Sequence, residues 1–132
     1  MEERMRLLIV LLFMLVAHSS HAASDRLSAE NIRDQIVGRT VFLAVPFGGE
    51  FPLNYRRDGR VDGTGEALGL GKFTRPRDSG TWWIDGDRLC QKFSTWYDGS
   101  QLCFELYRLD ETRIRWIQNN GDKGTARIGP AL

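Results

Sequence analysis

Short apolar stretches alternate with turn-forming residues along most of this chain. From residue 38 onward, segments in which apolar and polar positions alternate are separated by turns rich in Gly, Asp and Asn. Alternation with a period of two is typical of strands that bury one face, and regularly spaced turns join such strands into hairpins. The predicted strands cover residues 40–45, 51–56, 60–65, 81–84, 87–93, 100–108, 112–118 and 123–128. We therefore predict an all-β fold, a small antiparallel meander barrel of about eight strands.

One short α-helix is predicted before the first strand. Ser28 is placed to cap the free amides at the start of this helix, and Leu27 is spaced to pack on Ile32 as a hydrophobic staple. Ile32 and Ile36 fall on the same side of the helix, and Gly38 is a natural residue to end it. A helix of about ten residues is too short to be stable alone, so we expect it to dock on the barrel.

Cross-strand pairing predicts which side chains are buried. A two-residue turn at 85–86 places Trp82 opposite Leu89 in the following strand. Alternation then turns Trp82 and Phe93 to the inside of the barrel and Trp83 to the outside. Because neighbouring hairpins agree on one apolar face, the pattern supports a single buried interior.

The first 22 residues are predicted to be a secretory signal peptide. A basic start precedes an apolar run at residues 7–17, and residues 20–22 supply small side chains at the cleavage positions. The apolar run is about half as long as a bilayer-spanning helix, so we expect no stable membrane span after cleavage. The expected product is one domain at residues 23–132, a monomer or weak oligomer that is periplasmic or secreted.

Histidine is expected to be absent from the mature domain. His18 and His21, the two histidines of the chain, both fall inside the predicted signal peptide. Imidazole is the commonest general base and the commonest metal ligand, so we predict a protein that is not an enzyme and that needs no cofactor or metal. The net charge of +1 gives no electrostatic reason to expect a nucleic-acid partner.

Hydrolysis by a pair of carboxylates is the remaining catalytic alternative. Such chemistry needs two carboxyl groups across a cleft, one of them with a raised pKa. The acidic residues considered for this role are Asp62, Glu66, Asp85, Asp87, Asp98 and Asp122. Most of them fall at turns, where aspartate is favoured for local hydrogen bonding. We therefore rank this function below a binding role.

Cys90 and Cys103 are expected to form a disulfide in an oxidising compartment. Pairing them across neighbouring strands sets Leu89 opposite Phe104, so that apolar side chains meet. A bond that closes a short loop stabilises the fold by about 2–3 kcal/mol through chain entropy. Because both cysteines lie on predicted strands rather than at a helix start, a structural bond is favoured over a redox-active pair.

Aromatic residues supply the candidate site for a macromolecular partner. Trp83 is predicted to face outward, and Trp96, Tyr97 and Asp98 lie at a predicted hairpin tip. Exposed Trp and Tyr suit protein hot spots and stacking on sugars. We predict that these residues, with the 66–79 loop, bind a partner that is an envelope protein, an enzyme to be inhibited, or a glycan. For Trp96, packing over the disulfide is the alternative.

A small apolar ligand inside the barrel is the alternative binding function. Trp82, Phe93, Phe104 and Trp116 are predicted to face inward. In a filled barrel these four side chains form the core. In an incompletely filled barrel the same side chains line a pocket for the ligand.

A set of short motifs resembles a group of small secreted bacterial proteins of unknown function. The motifs lie within residues 51–107 and are Asp58-Gly59-Arg60, Gly80-Thr81-Trp82, Asp85-Gly86, Leu89-Cys90, Trp96 and Cys103. This resemblance implies a periplasmic, disulfide-bonded β-domain and brings no catalytic residue with it. The G-x-W motif also resembles that of lipocalins and smaller calycin-like barrels, which include secreted inhibitors of proteases and lysozyme. That second resemblance implies a barrel with a short helix closing one end.

Overall fold

Eight antiparallel strands form a closed barrel in which each strand pairs with its neighbours in the chain. The computed structural model describes residues 25–46, 48–65 and 76–132. The strands are β1 (Arg39–Ala44), β2 (Glu50–Tyr55), β3 (Arg60–Thr64), β4 (Arg77–Asp85), β5 (Arg88–Phe93), β6 (Gln101–Arg108), β7 (Arg113–Gln118) and β8 (Lys123–Ala131). β8 pairs back onto β1 and closes the sheet. The predicted fold class is confirmed, while the predicted signal peptide lies outside the described residues.

Helix α1 (Ala29–Gln35) begins at the predicted cap. The backbone N–H of Asn31 donates to the Ser28 hydroxyl at 3.2 Å, and the backbone N–H of Ser28 donates to the Asn31 side chain at 3.1 Å. This reciprocal capping box satisfies two amides at the helix start. The helix is shorter than the predicted ten residues or so, because Ile36 already serves as its C-cap. Among the described residues, no helix is long and apolar enough to span a membrane.

Helix α1 docks on one end of the barrel, as its length requires. The backbone N–H of Leu27 donates to the carbonyl of Leu106 at 2.8 Å, and that of Ala29 donates to the Asp87 carboxylate at 2.8 Å. Ile32 is fully buried against the core. We call this the helix end; it also carries the β2–β3, β4–β5 and β6–β7 turns. The opposite, loop end carries the other strand connections.

The β4–β5 turn is displaced from its predicted position. Asp85 pairs with Arg88 and Trp82 pairs with Gln91, so the turn is Gly86-Asp87 and the predicted pairing of Trp82 with Leu89 is wrong. Gly86 has a φ of 58°, which suits the first central position of a two-residue hairpin turn. A slip of two residues keeps every side chain on its original face, so Trp82 still points inward and Trp83 outward.

Gly80, the glycine of the G-x-W motif, lies where two strands approach closely. A Cβ at Gly80 would lie 1.9 Å from the carbonyl oxygen of Lys92. No side chain fits in that space, so a glycine is required for β4 and β5 to pair here. β4 also begins at Arg77, before the predicted start at residue 81, because the register with β3 continues back to Thr64.

The predicted disulfide between Cys90 and Cys103 is present. The two cysteines are cross-strand partners on β5 and β6, and Leu89 pairs with Phe104 as predicted. Both cysteines are buried although they lie on the outer wall. Trp83 is the partner of Cys90 on β4, so its side chain stands beside the bond.

Candidate functional site

The barrel contains a cavity of about 170 Å³. Large apolar side chains from β1, β2, β5, β6 and β7, together with Ala126 of β8, form most of its wall. The polar side chains that reach it are Tyr55, Gln91, Tyr97, Gln118 and Asp122. A largely apolar enclosure with a few polar groups is the usual form of a small-molecule site.

The two ends of this cavity differ in their access to solvent. At the helix end its lining includes Ile36, Leu106 and Ile114, all of which are buried. At the loop end its lining includes Tyr97, whose exposed fraction is 56%, and Asp122, which is also exposed. The cavity therefore reaches the surface at the loop end and is closed at the helix end.

Two of the four residues predicted to line an apolar pocket are on the wall of this cavity. Phe104 and Trp116 form an edge-to-face pair with ring centroids 5.6 Å apart. The Trp116 ring packs over Gly124, where a Cβ would lie 2.5 Å from a ring carbon. Its indole nitrogen is buried and has no hydrogen-bond partner among the described residues.

The other two predicted pocket residues fill the barrel beside the cavity. Trp82 packs against the core, and its indole N–H donates to the carbonyl of Arg56 at 2.7 Å, which ties it to the β2–β3 turn. Phe93 is 2% exposed, and its ring centroid lies 5.1 Å from that of Trp96. Both residues therefore belong to the core, Trp82 at the helix end and Phe93 at the loop end.

Trp96 packs into the barrel rather than at the tip of its loop. Its ring also lies 5.3 Å from that of Phe51, and a Cβ at Gly63 would lie 3.0 Å from it. The side chain is half-buried against the core, so the alternative of packing over the disulfide is not what the structure shows. Trp96 therefore fills the part of the interior at the loop end that lies between β2 and β5. The cavity occupies the remaining part of the interior at this end.

Tyr97 and Asp98 occupy a strained 3-10 turn at the loop end. Their φ angles are 57° and 56°, in the left-handed region that L-residues rarely adopt. The Tyr97 ring lies 6.2 Å from that of Phe93 and borders the mouth of the cavity. Trp83, in contrast, lies half-buried on the outer wall toward the helix end. The four residues predicted to bind a partner therefore do not form one surface.

Asp78 organises this loop and was not identified from the sequence. Its carboxylate accepts hydrogen bonds from the backbone N–H groups of Thr95 and Trp96 at 2.7 and 2.8 Å, and from the Thr95 hydroxyl at 3.0 Å. Desolvation opposes ionisation, but these hydrogen bonds prevail and lower the pKa of Asp78. The contacts join β4 to a loop 17 residues further on, so no local sequence signal marks them.

A buried polar pair inside the cavity was also missed. The Tyr55 hydroxyl donates to the Gln91 side-chain carbonyl at 2.5 Å, and the two residues are 4% and 3% exposed. Burial, with a smaller contribution from Tyr97, raises the pKa of Tyr55. The available signal was a glutamine at an inward position, between Leu89 and Phe93, where alternation predicts an apolar residue.

The described residues among the acidic candidates for hydrolysis lie on the outside of the barrel or at its turns. Asp62 pairs with Arg56 at 2.5 Å, and this contact lowers the pKa of Asp62, whereas a general acid needs a raised one. Asp85 pairs with Arg88 at 2.8 Å, and Asp87 binds the helix start. Asp98 and Asp122 are both exposed. Glu66 lies outside the described residues, as does most of the 66–79 loop.

No group of three or more metal-ligating side chains occurs in the described part of the chain.

Comparison of the chain with protein-family models, with curated proteins and with solved structures gives no match. The barrel and the disulfide implied by the resemblance to small secreted proteins are both present. The family itself is not identified by these comparisons.

Proposed function

We propose that this protein is a carrier that binds a small, mainly apolar ligand inside its barrel. The observation that carries the proposal is the cavity of about 170 Å³, with an apolar wall and a mouth at the loop end. An apolar cavity of about 150 Å³ is large enough to bind benzene. The space available here therefore suits a single ring with a short substituent.

The energetic cost of the empty space supports a binding role. Residual cavities lower stability by about 24 cal/mol for each Å³. For an enclosed void of 170 Å³ this amounts to about 4 kcal/mol, and the cost is smaller here because the mouth at the loop end admits water. A ligand that fills the space would recover part of this free energy by burying apolar surface.

The disulfide supports the proposal that the protein acts in the periplasm or outside the cell. Structural disulfides form and persist in oxidising compartments and are rare in the reducing cytosol. The bond between Cys90 and Cys103 is therefore what an exported carrier is expected to contain. Detection of the oxidised, processed protein in a periplasmic or culture fraction would test this part of the proposal.

Plugging the cavity tests the carrier function. Ala126 is 3% exposed and lines the cavity, so Ala126→Leu places three extra carbons inside it. We expect wild-type protein to bind toluene in a calorimetric or NMR titration and Ala126→Leu to bind it at least about tenfold more weakly, because the plug occupies the ligand's space. Ala44→Leu makes the same change at an exposed position and is the control.

Two results would contradict the carrier function. One is the absence of toluene binding to the wild-type protein together with no bound mass in native mass spectrometry of protein purified from its host. The other is unchanged binding in Ala126→Leu when the variant is folded. Binding that is lost equally in Ala44→Leu would show that the site is not inside the barrel.

Recognition of an envelope protein or a glycan at the loop end is a second candidate function. It is supported by the 56% exposure of Tyr97 and by the strained backbone that holds Tyr97 and Asp98. We expect Tyr97→Ala to abolish capture of a partner from an envelope extract. Leu109→Ala, which removes an apolar side chain of similar exposure at the helix end, should not affect capture. Equal capture by both variants would contradict this candidate.

A further inference from the structure

We infer that the ligand is an uncharged small molecule with a hydrogen-bond acceptor oxygen, which the Gln91 side-chain amide binds inside the barrel. The inference rests on the proposed carrier function and adds to it the chemical class of the ligand. It follows from three observations: the polar atoms that face the cavity, the absence of a compensating charge on its described wall, and its size.

The Gln91 side chain uses its carbonyl oxygen in one hydrogen bond, and its N–H₂ group has no partner among the described residues. Gln91 lies on β5 with its side chain on the cavity wall, yet it is only 3% exposed. Its carbonyl oxygen accepts from the Tyr55 hydroxyl at 2.5 Å, which is the one side-chain hydrogen bond that the described residues give it. The amide N–H₂ group has no hydrogen-bond partner among the described residues and is not fully enclosed by protein atoms, so it borders the cavity that Gln91 lines. A buried donor without an acceptor is unfavourable, and an oxygen atom of a ligand would satisfy it.

Trp116 offers a second buried donor but not one that a ligand reaches. Its indole nitrogen is enclosed where the ring packs over Gly124, and a Cβ at Gly124 would lie 3.0 Å from that atom. Gln118 and Tyr97 also carry donors on the wall, but both are more exposed to solvent than Gln91, so Gln91 is the buried wall residue that offers a donor to a ligand. This difference makes Gln91 the residue to change in a test.

The cavity wall is suited to a neutral ligand. Among the described residues that line the cavity, none is Lys or Arg, and the one carboxylate, Asp122, lies exposed at the mouth. Burial raises the pKa of Tyr55, so its hydroxyl stays neutral. An anionic ligand would leave its charge buried without a partner and would meet Asp122 on the way in. A cationic ligand would also find no buried counter-charge beside Gln91.

Three probes of matched shape separate these ligand classes. Acetophenone, α-methylstyrene and benzoate have the same number of non-hydrogen atoms, and they carry a neutral acceptor, no acceptor and a negative charge respectively. The quantity to measure is the ratio of the acetophenone affinity to the α-methylstyrene affinity, by calorimetry or by quenching of Trp fluorescence. Comparing this ratio between variants cancels the different solubilities of the two probes.

Gln91→Leu removes the amide at nearly constant volume. We expect the affinity ratio to fall about threefold to tenfold when the Tyr55 hydroxyl, which this variant leaves without its acceptor, is removed as well, because acetophenone then loses its hydrogen bond and α-methylstyrene loses none. Tyr55→Phe leaves the amide in place, so it should keep the ratio of the wild-type protein or raise it. The double variant Tyr55→Phe with Gln91→Leu restores a fully apolar wall and should show the lowered ratio, which controls for misfolding of the single variant. Benzoate should bind more weakly than acetophenone in every case.

The outcomes distinguish failure of this inference from failure of the carrier function. If both neutral probes bind but the affinity ratio is the same in wild type and in both Gln91 variants, the cavity is a ligand site and the inference is wrong. If benzoate binds most tightly, the assignment of an uncharged ligand is wrong. If no probe binds the wild-type protein, the carrier function itself fails.

Discussion

The two ends of the barrel differ in backbone strain and in access to the cavity, although the same eight strands form both. At the helix end the turns are short, α1 is capped, and Trp82 is tied to the β2–β3 turn by a hydrogen bond of 2.7 Å. At the loop end the backbone of Tyr97 and Asp98 is strained, and the cavity reaches the surface. One end closes the fold and the other leaves room for a ligand. Binding sites are commonly placed in this way, on connections that a rigid scaffold positions.

The β5–β6 connection at the loop end is anchored by Asp78 and by Trp96. Asp78 holds the backbone of Thr95 and Trp96, and Trp96 in turn packs against Phe51 and Phe93. The helix end, by contrast, is held by a continuous buried core that includes Ile32. Substitutions at the two ends should therefore differ in size and in how far their effects spread.

The largest effect is expected from opening the helix end. Ile32→Ala removes a fully buried side chain from α1 and leaves a cavity, so we expect it to lower the free energy of unfolding by about 3–4 kcal/mol in urea denaturation. Glu30→Ala, on the exposed face of the same helix, should change it by less than about 0.5 kcal/mol. Similar losses in the two variants would show that α1 does not close the barrel.

Removing the disulfide should have the next largest effect and should act mainly at the loop end. Cys90→Ala with Cys103→Ala releases the link between β5 and β6, the strands that flank the Trp96 loop. The chain-entropy account predicts a loss of about 2–3 kcal/mol of stability. Amide hydrogen exchange should increase more at residues 94–100 than in α1. A larger increase in α1 would contradict the separation between the two ends.

A smaller, pH-dependent effect is expected at Asp78. Asp78→Asn removes the negative charge that accepts hydrogen bonds from the backbone N–H groups of Thr95 and Trp96. We expect it to lower the free energy of unfolding by about 1 kcal/mol at neutral pH and to speed amide exchange at these two residues. Because the folded protein lowers the pKa of Asp78 below 3.8, its contribution is complete above that pH and is lost as pH falls through the lowered pKa. The wild type and the variant should therefore converge in acid.

Asp98→Asn is the matched control for this measurement. Asp98 is exposed in the same loop, and asparagine tolerates the left-handed backbone found there. We expect this change to leave the free energy of unfolding nearly unchanged at neutral pH. A constant difference between wild type and Asp78→Asn down to strongly acidic pH would show that the Asp78 charge does not hold the loop.

Local patterns in the sequence were sufficient for the elements and for much of their pairing. The alternation of apolar residues located all eight strands within a few residues, and Ser28 located the start of α1. Cys90 and Cys103 fixed the pairing of β5 with β6. These features are set by interactions between residues close in sequence or by a strict period of two, so a single chain displays them.

The cavity was decided by the tertiary structure. The alternation of side chains along each strand indicates which of them point inward. How much of the interior they fill depends on the radius of the closed barrel and on the packing of each ring. Trp96 packs against Phe51 and Phe93 on one side, while Phe104 and Trp116 border open space on the other. The Asp78 anchor and the Tyr55–Gln91 pair likewise join residues distant in the chain. The Tyr55–Gln91 contact joins β2 to β5 and forms only when the sheet curls into a barrel, whereas the Asp78 contact continues the register of the β4–β5 hairpin beyond its last strand pair.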